Sequence, residues 1–336
     1  MQAKVDAVNA SGGIDGHQID LTTCNDQLDP DQSAACARQA VSNGDVAVVA
    51  SYEPYTAQVL PILESANIPF FNGEAIDNGD ANSATEFPLT GGVITQYAAV
   101  GEALATNGCK NMGVIAVNAE VVQVGAQWAE KGMTAKGGKS TQVNVSLEQP
   151  TFDSELAQLS TDGAQCIVPA TNPPQGASIE QSLKQRVPVG AIASEFPQQA
   201  LTTLGPLANK TLIADQEYQP WDTTQKGIED ITAAMSSYTP SVKLTESFGV
   251  LGWASMTAAL DVIGNASDKT AAGILTAART TASVNTDGLL GTFGWNQPGP
   301  VKSLPKFTNW NYLTWTVTGG VVKLSSQGFV KLTGVG

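Results

Sequence analysis

The chain has 336 residues, with 17 Lys or Arg against 31 Asp or Glu and a formal net charge of −14. That balance argues against a nucleic-acid partner, which needs clustered cations to neutralise phosphates. The length suits two lobes that each bury a core. No run approaches the roughly 20 consecutive apolar residues that span a bilayer, and no basic, apolar and small-residue succession marks a leader.

From the start, Ala3 to Val8 has apolar residues at helical spacing, and Gly12-Gly13 supplies a helix stop. Asp15-Gly16 is a turn, after which Ile19, Leu21 and the threonines predict a strand over 18–24. Asp29-Pro30-Asp31 then opens a helix over 31–43. Strands are predicted at 46–50 and 68–72, and helices at 55–66 and 93–106. A second alternating series takes strands at 112–117, 141–146, 165–169, 189–193 and 211–216, with helices at 122–136, 152–162 and 175–185. Helices at 223–237, 245–264 and 269–282, a Pro-rich loop at 298–305 and strands at 312–317 and 321–324 complete the reading. Such alternation is the pattern of parallel βαβ units, here in two sheets. Because it opens on a helix where a βαβ series opens on a strand, a further strand and any leader are expected ahead of Met1.

Four cysteines fit two disulfides in an oxidising compartment, and spacing alone leaves three pairings open. Cys24 ends the strand at 18–24 and Cys36 lies in the helix that folds back beside it, so these form the first expected pair. Cys109 precedes one strand and Cys166 opens another that should be its neighbour, which gives the second. No CxxC is present and His17 is the lone histidine, placed in a polar turn, so neither a metal site nor a catalytic base is expected. The glycines form neither GxGxxG after a strand nor GxxxxGK[ST], so no nucleotide cofactor is expected. Asp153 and Glu155 read as helix-start acids. The chain does not read as an enzyme.

Several stretches resemble the type I periplasmic binding protein superfamily, in particular its branched-chain amino acid receptors of ABC importers. They are N-A-S-G-G-I-D-G at 9–16, D-P-D-Q-S-A-A-C-A-R-Q-A at 29–40, V-A-V-V-A at 46–50 and A-N-I-P-F-F-N at 66–72. T-F-D-S-E-L-A-Q-L at 151–159 and G-V-L-G-W-A-S-M-T-A-A-L at 249–260 follow in the same order. The resemblance implies an α/β fold of two doubly wound, Rossmann-like lobes, a three-segment hinge and a ligand cleft between the lobes. On that plan lobe 1 is 1–118 with 218–310 and lobe 2 is 119–217 with 311–336, with crossings near Asn118, Tyr218 and Trp310.

Ligands of open α/β sheets bind beyond the carboxyl ends of the strands. After 46–50 stand Ser51, Tyr52, Glu53, Pro54, Tyr55 and Thr56, where the resemblance implies hydroxyls and amides that hold an amino acid's carboxylate. The chain keeps Ser51 and Thr56 but replaces the serine-rich centre with Tyr-Glu-Pro-Tyr, so Tyr52 and Tyr55 are read as an aromatic wall for a larger ligand, and Glu53 repels a carboxylate unless it points away. After 68–72, Asn72 and Glu74 are the polar candidates. In the second lobe the candidates are Asn172 and the pair Glu195 and Phe196, with Glu195 falling where the receptors pair an acid with the ligand's ammonium group. Asn118 and Tyr218 stand at the expected crossings, while Trp253 reads as core.

The expected function is an extracytoplasmic receptor, periplasmic or at the cell surface, that captures a small molecule by hinge closure and hands it to an ABC permease. It is expected to be a monomer without cofactor, and any lipid anchor would lie upstream of this numbering. The alternatives are a sensory ligand-binding domain of the same fold, and a receptor for an amide, a urea-like compound or an aromatic acid.

Overall fold

The computed structural model describes residues 1–76, 79–183 and 186–335. The chain divides into two compact units, Met1–Gly91 with Asp222–Asn309 and Gly92–Trp221 with Trp310–Gly336.

The first segment of unit 1 contains α1 (Gln2–Ala10), α2 (Pro30–Asn43), β1 (Val48–Ala50), α3 (Thr56–Ala66), β2 (Phe70–Glu74) and β3 (Glu86–Thr90). Local chemistry sets these boundaries. Gly12 and Gly13 take positive φ just after α1. The Asp29 carboxylate caps α2 by accepting from the N–H groups of Asp31 and Gln32, with Pro30 in the first turn and Gly44 left-handed at the end.

Unit 2 begins with α4 (Gly92–Thr106), β4 (Asn111–Val117), α5 (Glu120–Ala135), β5 (Lys139–Val145) and α6 (Asp153–Thr161). It continues with β6 (Cys166–Ala170), α7 (Pro173–Ser182), β7 (Val189–Ala191), α8 (Gln198–Leu204) and β8 (Thr211–Asp215). The chain returns to unit 1 for α9 (Lys226–Tyr238), α10 (Ser247–Asn265) and α11 (Ala271–Thr280). It then ends in unit 2 with β9 (Asn311–Thr318), β10 (Val321–Leu324) and β11 (Val330–Lys331).

Unit 1 has a parallel sheet in the order β1-β2-β3. Unit 2 has a larger sheet in the order β10-β9-β8-β7-β6-β4-β5, parallel through β8 and antiparallel at β9 and β10, with β11 on β9. The architecture is therefore the expected mixed α/β with parallel-dominated sheets. Helix α10 is long and apolar enough to span a bilayer by composition alone, yet 67% of its apolar window is buried inside the protein. Trp253 on that helix is core, as its spacing predicts, and its indole N–H donates to Asp287 at 2.7 Å.

Four departures from the sequence reading have physical causes. Residues 18–24 form no strand, because among the described residues no other strand lies beside them to complete a ladder; the Asn9 side chain instead bonds both the N–H and the carbonyl of Ile19. The second strand runs to Glu74, so Asn72 and Glu74 lie in β2 rather than in a loop after it. Strand β3 and helix α8 were not predicted, and the end of the helix expected at 175–185 lies outside the described residues. Finally, the first passage between units falls after Gly91 and not near Asn118, since β4 is hydrogen-bonded between β5 and β6 and cannot belong to unit 1. The other two passages fall after Trp221 and Asn309.

Both disulfides form as expected, Cys24 to Cys36 with Cα atoms 5.8 Å apart and Cys109 to Cys166 at 6.1 Å. The first forms without the strand from which it was argued. Within unit 2, α4 and α5 meet backbone to backbone. A Cβ on Gly101 would stand 2.0 Å from the Ala129 carbonyl oxygen, and one on Gly132 the same distance from that of Ala98. This close crossing holds α4 in register beside α5, and it is α4 that brings Tyr97 to the site described next.

Candidate functional site

In unit 2, the residues that follow β6 and β7 at their carboxyl ends converge on one pocket of about 190 Å³. Thr171 comes from the loop after β6 and Pro173 from the first turn of α7, while Ile192, Ser194 and Glu195 come from the loop after β7. Val93 and Tyr97 of α4 and Val121 and Val122 of α5 close the other walls. The lining is apolar apart from Tyr97, Thr171, Ser194 and Glu195.

Glu195 is 4% exposed. Its Oε1 accepts from the Tyr97 hydroxyl and from the Thr171 N–H at 3.3 Å, and its Oε2 accepts from the Ile192 N–H at 3.3 Å. Among the described residues no cationic side chain pairs with it. Burial pushes its carboxyl up to about 8, against the pull of those three donors, and the nearby Asp215 adds to the rise. Burial and the neighbouring Glu195 likewise hold the Tyr97 hydroxyl well above its ordinary range. Asp215, at the end of β8, accepts from the N–H groups of Ala193 and Gln216 and from Gln96 Nε2, and its burial raises it too.

The raised carboxyl has a consequence for stability. The folded protein binds the Glu195 proton more tightly than the unfolded chain does, so this stability is present in full below pH 4.5 and is lost as pH rises through about 8. Thermal melts of the ligand-free protein should therefore show a lower Tm at pH 8.5 than at pH 5, by roughly 5 °C or more, with Glu195→Gln flattening the fall. Equal slopes for variant and parent would contradict the assignment.

The other expected residues of unit 2 do different work. Phe196 is 0% exposed and sits in a core cluster with Leu201, Ile213 and Trp315, so it offers no ring to a solute. The Asn172 side chain caps α7, accepting from the Gln175 N–H at 2.9 Å ahead of Pro173. Asn118 is exposed after β4, its N–H donating to the Val145 carbonyl, and it stands at no passage between units. Tyr218 is half-buried and packs edge-on against Phe329.

In unit 1 the loop after β1 adjoins β2, since Ala50 at the end of β1 is registered opposite Asn72 of β2. Tyr52 is 39% exposed, lies within the influence of the Glu74 charge, and packs at a tilt against Phe248 of α10, itself 37% exposed, with ring centroids 5.1 Å apart. Glu53 Oε1 accepts from the Tyr55 N–H and from the Ser33 hydroxyl, so a carboxylate of the protein itself occupies the approach to α3. The Tyr55 hydroxyl donates to the Leu28 carbonyl at 2.9 Å. Thr56 is buried in the first turn of α3, and Ser51 is half-buried with its main chain close against Gly73. Asn72 is fully buried and donates to Glu86 across to β3, while Glu74 is buried at the end of β2.

Sequence reasoning missed Tyr97 and Phe248. The only local sign of Tyr97 was its place one turn after Val93 on the same face of α4; that of Phe248 was an aromatic residue in the first turn of α10.

A family model described as periplasmic binding protein matches residues 1–300. Among curated proteins none gives a significant match. Solved structures similar to this chain include the leucine-binding protein LivK of Thermotoga maritima, at 16% identity and a TM-score of 0.75, covering 98% of this chain and 93% of that one. The substrate-binding protein LivJ of a branched-chain amino acid transporter from Streptococcus pneumoniae, in complex with isoleucine, aligns at 18% identity and a TM-score of 0.73, covering 98% and 92%. A fatty acid ABC transporter substrate-binding protein of Thermomonospora curvata aligns at 16% identity and a TM-score of 0.75, covering 99% and 87%. At these identities the likeness is one of fold.

Proposed function

The chain belongs to the periplasmic binding protein family, and we propose that it is the solute receptor of an ABC importer whose ligand is a small aminated molecule such as an amino acid. Membership of the family carries a substrate-binding role and an extracytoplasmic location. The observation that supports the ligand class is Glu195, a buried carboxyl just past a strand end that lines a pocket and, among the described residues, has no cationic partner. A solute ammonium would complete it, since excluding water strengthens a charge-assisted pair. The cation would also drive off the proton that burial retains, so binding releases a proton near pH 7 and tightens as pH rises towards 8. Solute binding then selects one arrangement of the two units, and the permease reads that arrangement.

A second reading has a specific observation behind it: a Glu195 that keeps its proton at neutral pH can donate to the carbonyl of an amide or urea-like solute. A thermal-shift panel of amino acids, amides and aromatic acids separates the readings. An aminated ligand at about 100 times its Kd should stabilise the protein by about 2.7 kcal/mol, visible as a rise of several degrees. A response confined to amides would favour the second reading, and a silent panel would overturn both.

A further inference from the structure

Tyr97 reaches Glu195 from α4, 98 residues away in sequence, and supplies one of its three donors. The other two are main-chain N–H groups of the loops that carry the site, and they stay with the fold. Among the described residues the phenol is the one donor to Glu195 on a rotatable side chain, and it holds Oε1 from inside the same pocket that Glu195 lines. A solute that seeks this oxygen therefore competes with the hydroxyl for one acceptor.

We propose that Tyr97 is an internal stand-in for the solute's ammonium group: its hydroxyl occupies Glu195 in the ligand-free protein, leaves when an aminated solute arrives, and so sets how tightly such a solute binds. The inference rests on the reading of Glu195 as the ammonium acceptor. Exchange runs in the solute's favour because an ammonium makes a charge-assisted bond where the phenol makes a neutral one, in surroundings shielded from water. The seat of the ring is built for it. Gly125 of α5 lies under the ring, where a Cβ would stand 2.6 Å from Tyr97 Cδ2, so any larger residue at 125 displaces the phenol.

The test is calorimetry with an amino acid that binds the parent protein and with its deaminated carboxylic acid, on the parent, Tyr97→Phe, Gly125→Ala and Glu195→Gln. Tyr97→Phe should bind the amino acid about tenfold more tightly, the net worth of one hydrogen bond no longer broken on binding. Its affinity for the deaminated acid should not move. Gly125→Ala, which shifts the ring without removing the hydroxyl, should tighten amino-acid binding in the same direction and guards against a folding defect in the first variant. If Tyr97→Phe binds the amino acid equally or more weakly while Glu195→Gln still loses it, Tyr97 is a ligand contact or a structural residue and the inference fails alone. If the parent does not distinguish the amino acid from its deaminated twin, the Glu195 reading fails with it.

Discussion

Replacing Glu195 with glutamine is expected to weaken binding of an aminated solute by about 100-fold or more, roughly 3 kcal/mol. The variant keeps the shape of the side chain and a carbonyl for the Thr171 or Ile192 N–H. What it removes is the negative charge that Glu195 takes up when a solute cation displaces its proton, at a site where no cationic side chain among the described residues pairs with it. Because the effect is electrostatic in a buried place, it should persist at high salt, unlike that of a surface pair. Binding titrations on the two proteins at pH 7.5 read it directly. An unchanged affinity would mean that Glu195 serves only its three internal donors, and that the solute is recognised elsewhere.

The second large effect concerns the Cys109–Cys166 bond, which ties the approach to β4 to the first residue of β6 across 57 residues of sequence. Closing a loop of that length restricts the unfolded chain by about 4 kcal/mol, against about 3 for the 12-residue loop of Cys24–Cys36. Urea unfolding of a Cys109→Ala/Cys166→Ala double variant should show a loss of that order, confined to unit 2, whose central strands the bond joins. Thiol titration of the denatured, unreduced parent should find essentially no free thiol. Four reactive thiols, or a loss under about 1 kcal/mol, would contradict the oxidised state and the compartment that it implies.

Much of the fold was legible because short apolar runs alternate with amphipathic helices, and that periodicity survives without tertiary information. The stretch at 18–24 was not, since β-branched residues suit a strand only when a neighbouring strand completes the ladder. The limits of the α4 to β4 region followed for the same reason: local pattern marks a strand, but the hydrogen-bonded neighbours decide which sheet owns it. At the site, Glu195 was legible from its position just past a strand. Its neighbour Phe196 was misread because the turn that carries both residues sends one side chain to the pocket and the other into the core. Asn172 carried a readable signal that was passed over, as Asn ahead of Pro-Pro is a helix start. Tyr97 had no such signal, because its partner is distant in sequence and its role depends on a glycine on another helix.

The most direct measurement of the central claim is calorimetry of the unaltered protein with one matched pair, an amino acid identified in the thermal-shift panel and the same molecule without its amino group. The account predicts that the amino acid binds and releases protons near pH 7, while the deaminated acid binds about 100-fold more weakly or not at all. Equal affinities for the two, with no proton released, would contradict it.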